Sequence, residues 1–424
     1  EILTERLQVK VRPIMIDFGS YQDRMNTVTA MGEPFDIAWT SNWSFDYIGH
    51  AARGTFLPLD ELLREHAPEV LNSLPQFVWD AATVNGRIYG VPNYQSVIRR
   101  EGFTIRKDLA ERYRLDVGSL QDLPDIEPFL AQVKAHEPPD IIPFPLHKNG
   151  IHGAYMRERG VESAGPYAWV RLDKPDEVFN YLESPEFRTH LELMRRWFER
   201  GFINRNAATL NDLDALHQAQ RTAVIAWSST QKPGDAAAVA AKFGYEVISV
   251  PTGPPIVGTN SIITTLLAVG ANSKHPEEAV KLINLVNTDR TLYNLIAYGI
   301  EGEHYRLIGD NQIEVIADGG YAPNAPWAVG NTFNGYILKG QDPDVLEETR
   351  RLNETAELSP LMGFVFNPAP VQKELADLDA VREIYEPGLL TGTIAPEAKL
   401  DEYINKMKQA GLDRVVAEVQ RQLD

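Results

Sequence analysis

Cysteine is missing altogether from these 424 residues. That excludes disulfides, thiolate metal sites and a cysteine nucleophile. No apolar run approaches the roughly 20 residues that a membrane span requires. The longest, around Ala236–Ala241 and Ile262–Val269, are too short or are interrupted by threonine. Basic residues are in deficit, with 41 Lys and Arg against 59 Asp and Glu, a net charge of −18. This argues against nucleic acid, whose binding neutralises phosphates with Lys and Arg; solubility accounts for the acidity. There is no P-loop ending in Gly-Lys-Ser/Thr, no HExxH helix and no Gly-x-Ser-x-Gly elbow. An Asp-x-Asp-x-Asp-Gly calcium loop is also lacking. His147 and His152 share one stretch, but without an adjacent carboxylate a polar loop is expected there and not a zinc site. No catalytic residue, metal ligand or cofactor is therefore assigned. The 59 acidic residues still leave room for a glycosidase-like carboxylate pair.

What is present describes a folded chain: 43% apolar and 24% charged residues, without internal repeats or low-complexity segments. Its length exceeds one core, so two or more lobes are expected. Asp36-Ile37-Ala38-Trp39 is short, apolar and β-prone, and Thr40-Ser41-Asn42-Trp43 follows its carboxyl end, where α/β sheets hold ligands. Phe45 to Arg53 predicts a helix, stopped by Gly54. Asp60 is placed to cap the next helix, Glu61 to His66. Asn85-Gly86 predicts a tight hairpin. Ser184-Pro185-Glu186 opens a helix with a cap, a proline and an acid, and Phe187, Leu191, Met194 and Phe198 then follow at helical spacing up to Gly201. Ala223–Trp227 and Ile262–Val269 predict strands, and Pro276-Glu277-Glu278 opens a helix with Ala279, Leu282, Ile283 and Val286 on one face. Two helices close the chain, Pro396–Met407 and Asp413–Leu423, with Gly411 between them.

The order of four motifs carries more than any one of them: Gly32-Glu33-Pro34-Phe35-Asp36-Ile37-Ala38-Trp39, Gly54-Thr55-Phe56-Leu57-Pro58-Leu59, Asn85-Gly86-Arg87-Ile88-Tyr89-Gly90-Val91-Pro92 and Arg106-Lys107-Asp108-Leu109. The series resembles the first lobe of the extracellular solute-binding proteins of ABC importers, in the oligosaccharide-binding, maltose-binding-protein-like branch. Ser273-Lys274-His275-Pro276-Glu277-Glu278-Ala279 resembles the family's return into that lobe. Gly363-Phe364-Val365-Phe366-Asn367-Pro368 and Ala410-Gly411-Leu412-Asp413 resemble the C-terminal extension of a lipoprotein subgroup.

The resemblance implies a two-lobed α/β fold with a Venus-flytrap hinge, three inter-lobe crossings and a helical C-terminus. Residues 1–95 and 258–305 would form the N-terminal lobe, and 96–257 and 306–424 the C-terminal lobe. Pro251-Thr252-Gly253-Pro254-Pro255 would be a linker, and the third crossing would fall near Gly299–Tyr305. Function would be the capture of an oligosaccharide and its delivery to the membrane permease subunits of an importer, by a monomer that is lipid-anchored outside the cytoplasmic membrane or periplasmic. A carbohydrate-active enzyme and a sensor without transport are the alternatives. Glu1 to Leu7 resembles the tail of a helix and Val9-Lys10-Val11 a second strand, so an export signal, a lipid-bearing cysteine and a further strand are expected upstream.

Sugar recognition needs flat aromatic faces and planar polar groups. Trp39 and Trp43 sit past a strand end where the family places a stacking tryptophan, and Ser41 and Asn42 lie beside them. Trp227 and Trp327 match aromatic positions of the second lobe loosely, with core packing as the alternative. Tyr94 and Gln95 fall on the expected crossing, and Asn260 and Asn331 are further polar candidates. For Arg99 and Arg100, solvated charge competes with a guanidinium fork for hydroxyls. Trp79 and Trp197 are expected in the core, and Trp169 has no assigned place.

Overall fold

The computed structural model describes residues 2–16, 20–228, 231–316, 319–321, 323 and 325–424. The chain divides into two compact units, Glu1–Ile98 with Val257–Val365, and Arg99–Ile256 with Phe366–Asp424. The first two boundaries each split a two-residue strand, Ile98–Arg99 and Ile256–Val257. The third lies at Val365/Phe366, so residues 306–365 belong with the first unit and not, as expected, with 96–257. A turn at Gly299, which has a positive φ, is a bend within that unit.

The first unit is organised around a three-stranded sheet in which Leu266–Val269 lies between Ile37–Thr40 and Gly90–Pro92. Both pairings are antiparallel, with Trp39 opposite Leu267 and Val91 opposite Leu267 on the other side. Its central strand is apolar on both faces. Leu266 and Ala268 pack with Phe45, Tyr47 and Phe56, while Val269 and Leu267 pack with the helices beyond Leu59. A strand covered on both sides reads as a continuous hydrophobic run, which is why it is visible in the sequence. That strand begins only at Leu266: Thr259–Ile262 is a short helix, and the predicted start at Ile262 is four residues early.

Other local expectations meet the structure in detail. Asn85 (φ 50°) and Gly86 (φ 75°) join the antiparallel pair Thr83–Val84 and Arg87–Ile88, as a two-residue hairpin with both central residues left-handed requires. Asp60 does not cap its helix. Its carboxylate takes the Arg87 guanidinium at 2.7 Å and lies 3.4 Å from the Ile88 N–H, tying that hairpin down instead. Residues 9–16 form no strand.

In the second unit, Gly102–Arg106 is flanked antiparallel by Val224–Ser228 and Val247–Pro251. A separate meander runs Val161–Gly165, Ala168–Arg171 and Lys174–Asn180. The closing helices Gln372–Leu390, Pro396–Gln409 and Leu412–Leu423 pack on it through Leu378, Tyr403 and Val415, against Trp169 and Tyr181. Buried Glu386 accepts from the phenols of Tyr181 and Tyr403 at 3.1 and 2.9 Å. The helix Pro185–Glu199 starts as its sequence predicts, with Ser184 Oγ accepting from the Phe187 N–H at 3.2 Å.

Two substitutions on this helix separate cap from core. Ser184→Ala should cost about 1 kcal/mol of stability. Leu191→Ala, at a fully buried position, should cost about 2–5 kcal/mol. Urea unfolding checks both, through a lower midpoint at unchanged slope.

Candidate functional site

Where the strands Ile37–Thr40 and Gly90–Pro92 end and Leu266–Val269 begins, three tryptophans meet. Ring centroids lie 5.2 Å apart for Trp39 and Trp43, 5.7 Å for Trp39 and Trp327 and 6.2 Å for Trp43 and Trp327. The interplanar angles of 63° and 69° make the two pairs at Trp39 edge-to-face, the arrangement that ring quadrupoles favour, and the Trp43–Trp327 pair is tilted at 51°. Tyr21 adds a fourth ring 5.5 Å from Trp39 and donates its hydroxyl to the Trp39 carbonyl at 2.6 Å. Burial pushes that phenol's pKa up, and the bond to the Trp39 carbonyl offsets part of the rise. Trp39 and Trp327 are half-buried, whereas Trp43 keeps 50% of its surface exposed.

Polar groups fix the rings from behind. The Trp39 indole N–H donates to Thr265 Oγ1 at 2.8 Å, and that of Trp43 to the Thr264 carbonyl at 2.9 Å. Asn42 is tethered twice, its backbone N–H to the Ile263 carbonyl and its side-chain amide to the Asn260 carbonyl. Ser41 is fully buried and closes its own loop, with Oγ donating to the Ser44 carbonyl and accepting from the N–H groups of Trp43 and Ser44. All of these partners are hydroxyl, amide or carbonyl groups. The surface they hold in place is aromatic.

Six of the ten residues singled out from sequence thus come together: Trp39, Ser41, Asn42, Trp43, Asn260 and Trp327. Ser41 is a loop staple and not a ligand contact. Trp327 belongs to the first unit, not the second. Tyr94, Gln95 and Asn331 lie in the same unit in supporting roles. Tyr94 is buried against Phe333 with its carbonyl on the Thr332 N–H, the Gln95 carbonyl accepts from Asn353, and Asn331 caps the turn Thr332–Asn334. Trp227 is in the core of the second unit, 3% exposed and against Phe103, the core packing weighed as its alternative. Tyr21, Asn93, Thr264 and Thr265 were missed. The signal available for the last two was the pair of threonines breaking an otherwise apolar run.

The remaining tryptophans are structural. Trp79 and Trp197 are buried with their N–H groups on the Leu71 carbonyl and Glu127, and Trp169 packs on Tyr181. Within the second unit, Arg99 pairs with Glu162 at 2.8 Å and Arg100 donates to the Gly253 carbonyl, so neither guanidinium is simply solvated. His152 is half-buried and stacked on Tyr181, while His147 accepts from the Asn149 N–H. Among the described residues no group of three or more His, Asp or Glu side chains is placed to hold a metal.

The chain as a whole belongs to a known class. Residues 5–291 match the bacterial extracellular solute-binding proteins, and the chain belongs to that family, whose members bind solutes and are not enzymes. Residues 360–424 match a domain of unknown function (DUF3502). Among individual relatives, a carbohydrate ABC transporter substrate-binding protein of Streptococcus pneumoniae is 27% identical, over 100% of this chain and 86% of that protein. The crystal structure of the N-glycan transport solute-binding protein NgtS of S. pneumoniae superposes with a TM-score of 0.88 at 25% identity, covering 100% of this chain and 93% of that one. NgtS in complex with Man5GlcNAc gives 0.77 at 26% identity, covering 100% and 92%.

Burial also sets a pH dependence. The imidazoles of His50, His152 and His217 are pushed down to about 4, and that of His190 well below its usual value, in each case first by burial. Such groups stay neutral in the folded chain while the unfolded chain takes up protons below about 6.5. Their stabilisation is complete above that pH and is lost as the pH falls towards 4. Glu158, pushed up to about 8 first by burial and then by Asp122, acts in the opposite sense as the pH rises. His190→Phe isolates one contribution: between pH 6.5 and 5 the wild type should lose roughly 1–2 kcal/mol more than the variant. Urea melts at the two pH values measure it.

Proposed function

We propose that this protein captures a neutral oligosaccharide of the N-glycan kind outside the cytoplasmic membrane and delivers it to the permease of an ABC importer. The observation that carries this reading is Trp43. Its indole N–H is engaged by the Thr264 carbonyl, yet half of its surface is exposed beside Trp39 and Trp327. A ring held in this way offers a ligand its flat apolar face, which suits the C–H face of a pyranose. The Thr265 hydroxyl and the Thr264 carbonyl that hold two of the rings are uncharged, as suits a neutral ligand. The N-glycan type is suggested by NgtS and its Man5GlcNAc complex. Closure of the two lobes on the ligand, a lipid anchor and a monomeric state belong to the same proposal. Among the described residues no helix is long and apolar enough to cross a membrane.

Man5GlcNAc is the first ligand to test, beside a panel of neutral and acidic oligosaccharides. At about a hundred times its Kd, a bound ligand should stabilise the protein by roughly 2.7 kcal/mol, read as a raised Tm. Chromatography after long incubation should return the sugar intact. A thermal shift confined to acidic sugars, or cleavage of the ligand, would refute the proposal.

Trp43→Ala should weaken binding by about tenfold to a hundredfold, the affinity equivalent of about 1–3 kcal/mol of stacked apolar surface. Its melting temperature should change little, because half of the ring is already exposed. Trp39→Ala should lower both affinity and Tm, since that ring also packs between Tyr21, Trp43 and Trp327. Calorimetric titration with parallel melting separates the two behaviours, and unchanged affinity in both variants would move the site elsewhere.

A further inference from the structure

One hydroxyl lies at the centre of the aromatic cluster. Thr265 Oγ1 accepts from the Trp39 indole N–H at 2.8 Å and from the Asn93 side-chain amide at 2.8 Å, and it donates to the Trp327 carbonyl at 3.2 Å. A hydroxyl has one proton to give and two lone pairs to fill. All three are used here, and the residue is 1% exposed. Thr265 therefore has neither the surface nor the hydrogen-bonding capacity to meet a ligand itself. The two tryptophans it joins lie 226 and 62 residues away along the chain. They share no strand, and their rings cross at 69°. The Asn93 N–H also donates to the Thr265 carbonyl at 3.0 Å, which fixes the backbone of Thr265 against the end of the strand Gly90–Pro92. Its neighbour Thr264 holds the third indole through its carbonyl.

We propose that Thr265 is the positioning residue of the ligand platform, its single hydroxyl setting the mutual orientation of Trp39 and Trp327. This rests on the reading of the cluster as the oligosaccharide site. Stacking depends on the tilt and offset of each ring, so a platform of three rings binds well only while their relative angles hold. Valine at position 265 has nearly the same shape but offers no acceptor. The Trp39 N–H and the Asn93 amide would then lose the acceptor they share, and both groups would shift to find another. Serine keeps the oxygen and loses only a methyl group.

The test compares Thr265→Val, Thr265→Ser and wild type by near-UV circular dichroism, indole fluorescence, thermal melting and titration with Man5GlcNAc. Thr265→Ala, which also removes the hydroxyl, replaces the valine variant if that does not fold. The expected result for the valine variant is an altered near-UV spectrum and an affinity lowered about tenfold. Serine should restore both. A folded valine variant with the wild-type spectrum overturns the assignment, and so does an altered spectrum at wild-type affinity. Loss of affinity that serine fails to restore also overturns it. If the wild type binds no sugar in the panel, the functional reading falls, and the spectra still decide by themselves whether Thr265 orients the rings.

Discussion

The antiparallel pairing of Ile37–Thr40 with Leu266–Val269 is the constraint on which the first unit and its site depend. Its register sets Trp39 opposite Leu267. Because side chains alternate along a strand, Thr265 then lies on the same side as Trp39, two residues along from its partner. A slip of one residue would turn Trp39 to the other face and leave its N–H without the Thr265 acceptor. The same slip would turn Ala38 out of the core around Tyr47 and Phe56. Core packing and site geometry therefore enforce one register together, and the apolar burial along the strands supplies most of the free energy that holds the polar contacts in place.

Within the site, hydrogen bonding and stacking are divided between different groups. Indole N–H groups, the Asn42 amide and the Ser41 hydroxyl are turned inward to carbonyls and to Thr265. An exposed N–H would compete for water and for ligand hydroxyls alike, whereas an engaged one fixes the ring and leaves only its face for recognition. In the second unit Arg99 with Glu162 and Arg157 with Glu101 form compact ion pairs whose carboxylates are almost fully buried. Such carboxylates are tolerated because each is met by a guanidinium. Arg99 has only 19% of its side chain exposed, so a role gripping ligand would first require breaking its pair with Glu162.

Much of the fold was legible because the elements that carry it have local causes. The hairpin at Asn85-Gly86 follows from two residues that accept positive φ, and the helix at Pro185 from a serine cap and a proline at its first turn. Two tryptophans of the candidate cluster were legible for a similar reason: Trp39 lies in a short β-prone stretch and Trp43 just past its end. The errors arise where long-range packing decides. Trp227 also ends a strand, but in a unit whose core closes over it. Asp60 is itself the first residue of its helix, with Leu59 at the cap position, and its carboxylate goes to a guanidinium of the neighbouring hairpin. The threonine pair marks Thr265 as unusual in an apolar run, but nothing local indicates that its hydroxyl will meet residues 39, 93 and 327.

The order of segments along the chain has a consequence for how the site forms. Trp39 and Trp43 lie in the first segment of the first unit, while Thr264, Thr265 and Trp327 lie in the second, after residues 99–256 of the other unit. The central strand of the first unit's sheet also comes from that second segment. Closing a loop of this length costs more than closing a short one, but the cost grows only with the logarithm of length. If residues 99–256 fold first, the ends to be joined are brought closer and the closure is cheaper still. The aromatic cluster cannot form before the strand Leu266–Val269 is in place, since the residues that hold two of its indoles immediately precede that strand. Ring geometry at the site is thus coupled to completion of the first unit's sheet, because Thr264 and Thr265 lead directly into a strand whose Leu266, Ala268 and Val269 are core residues.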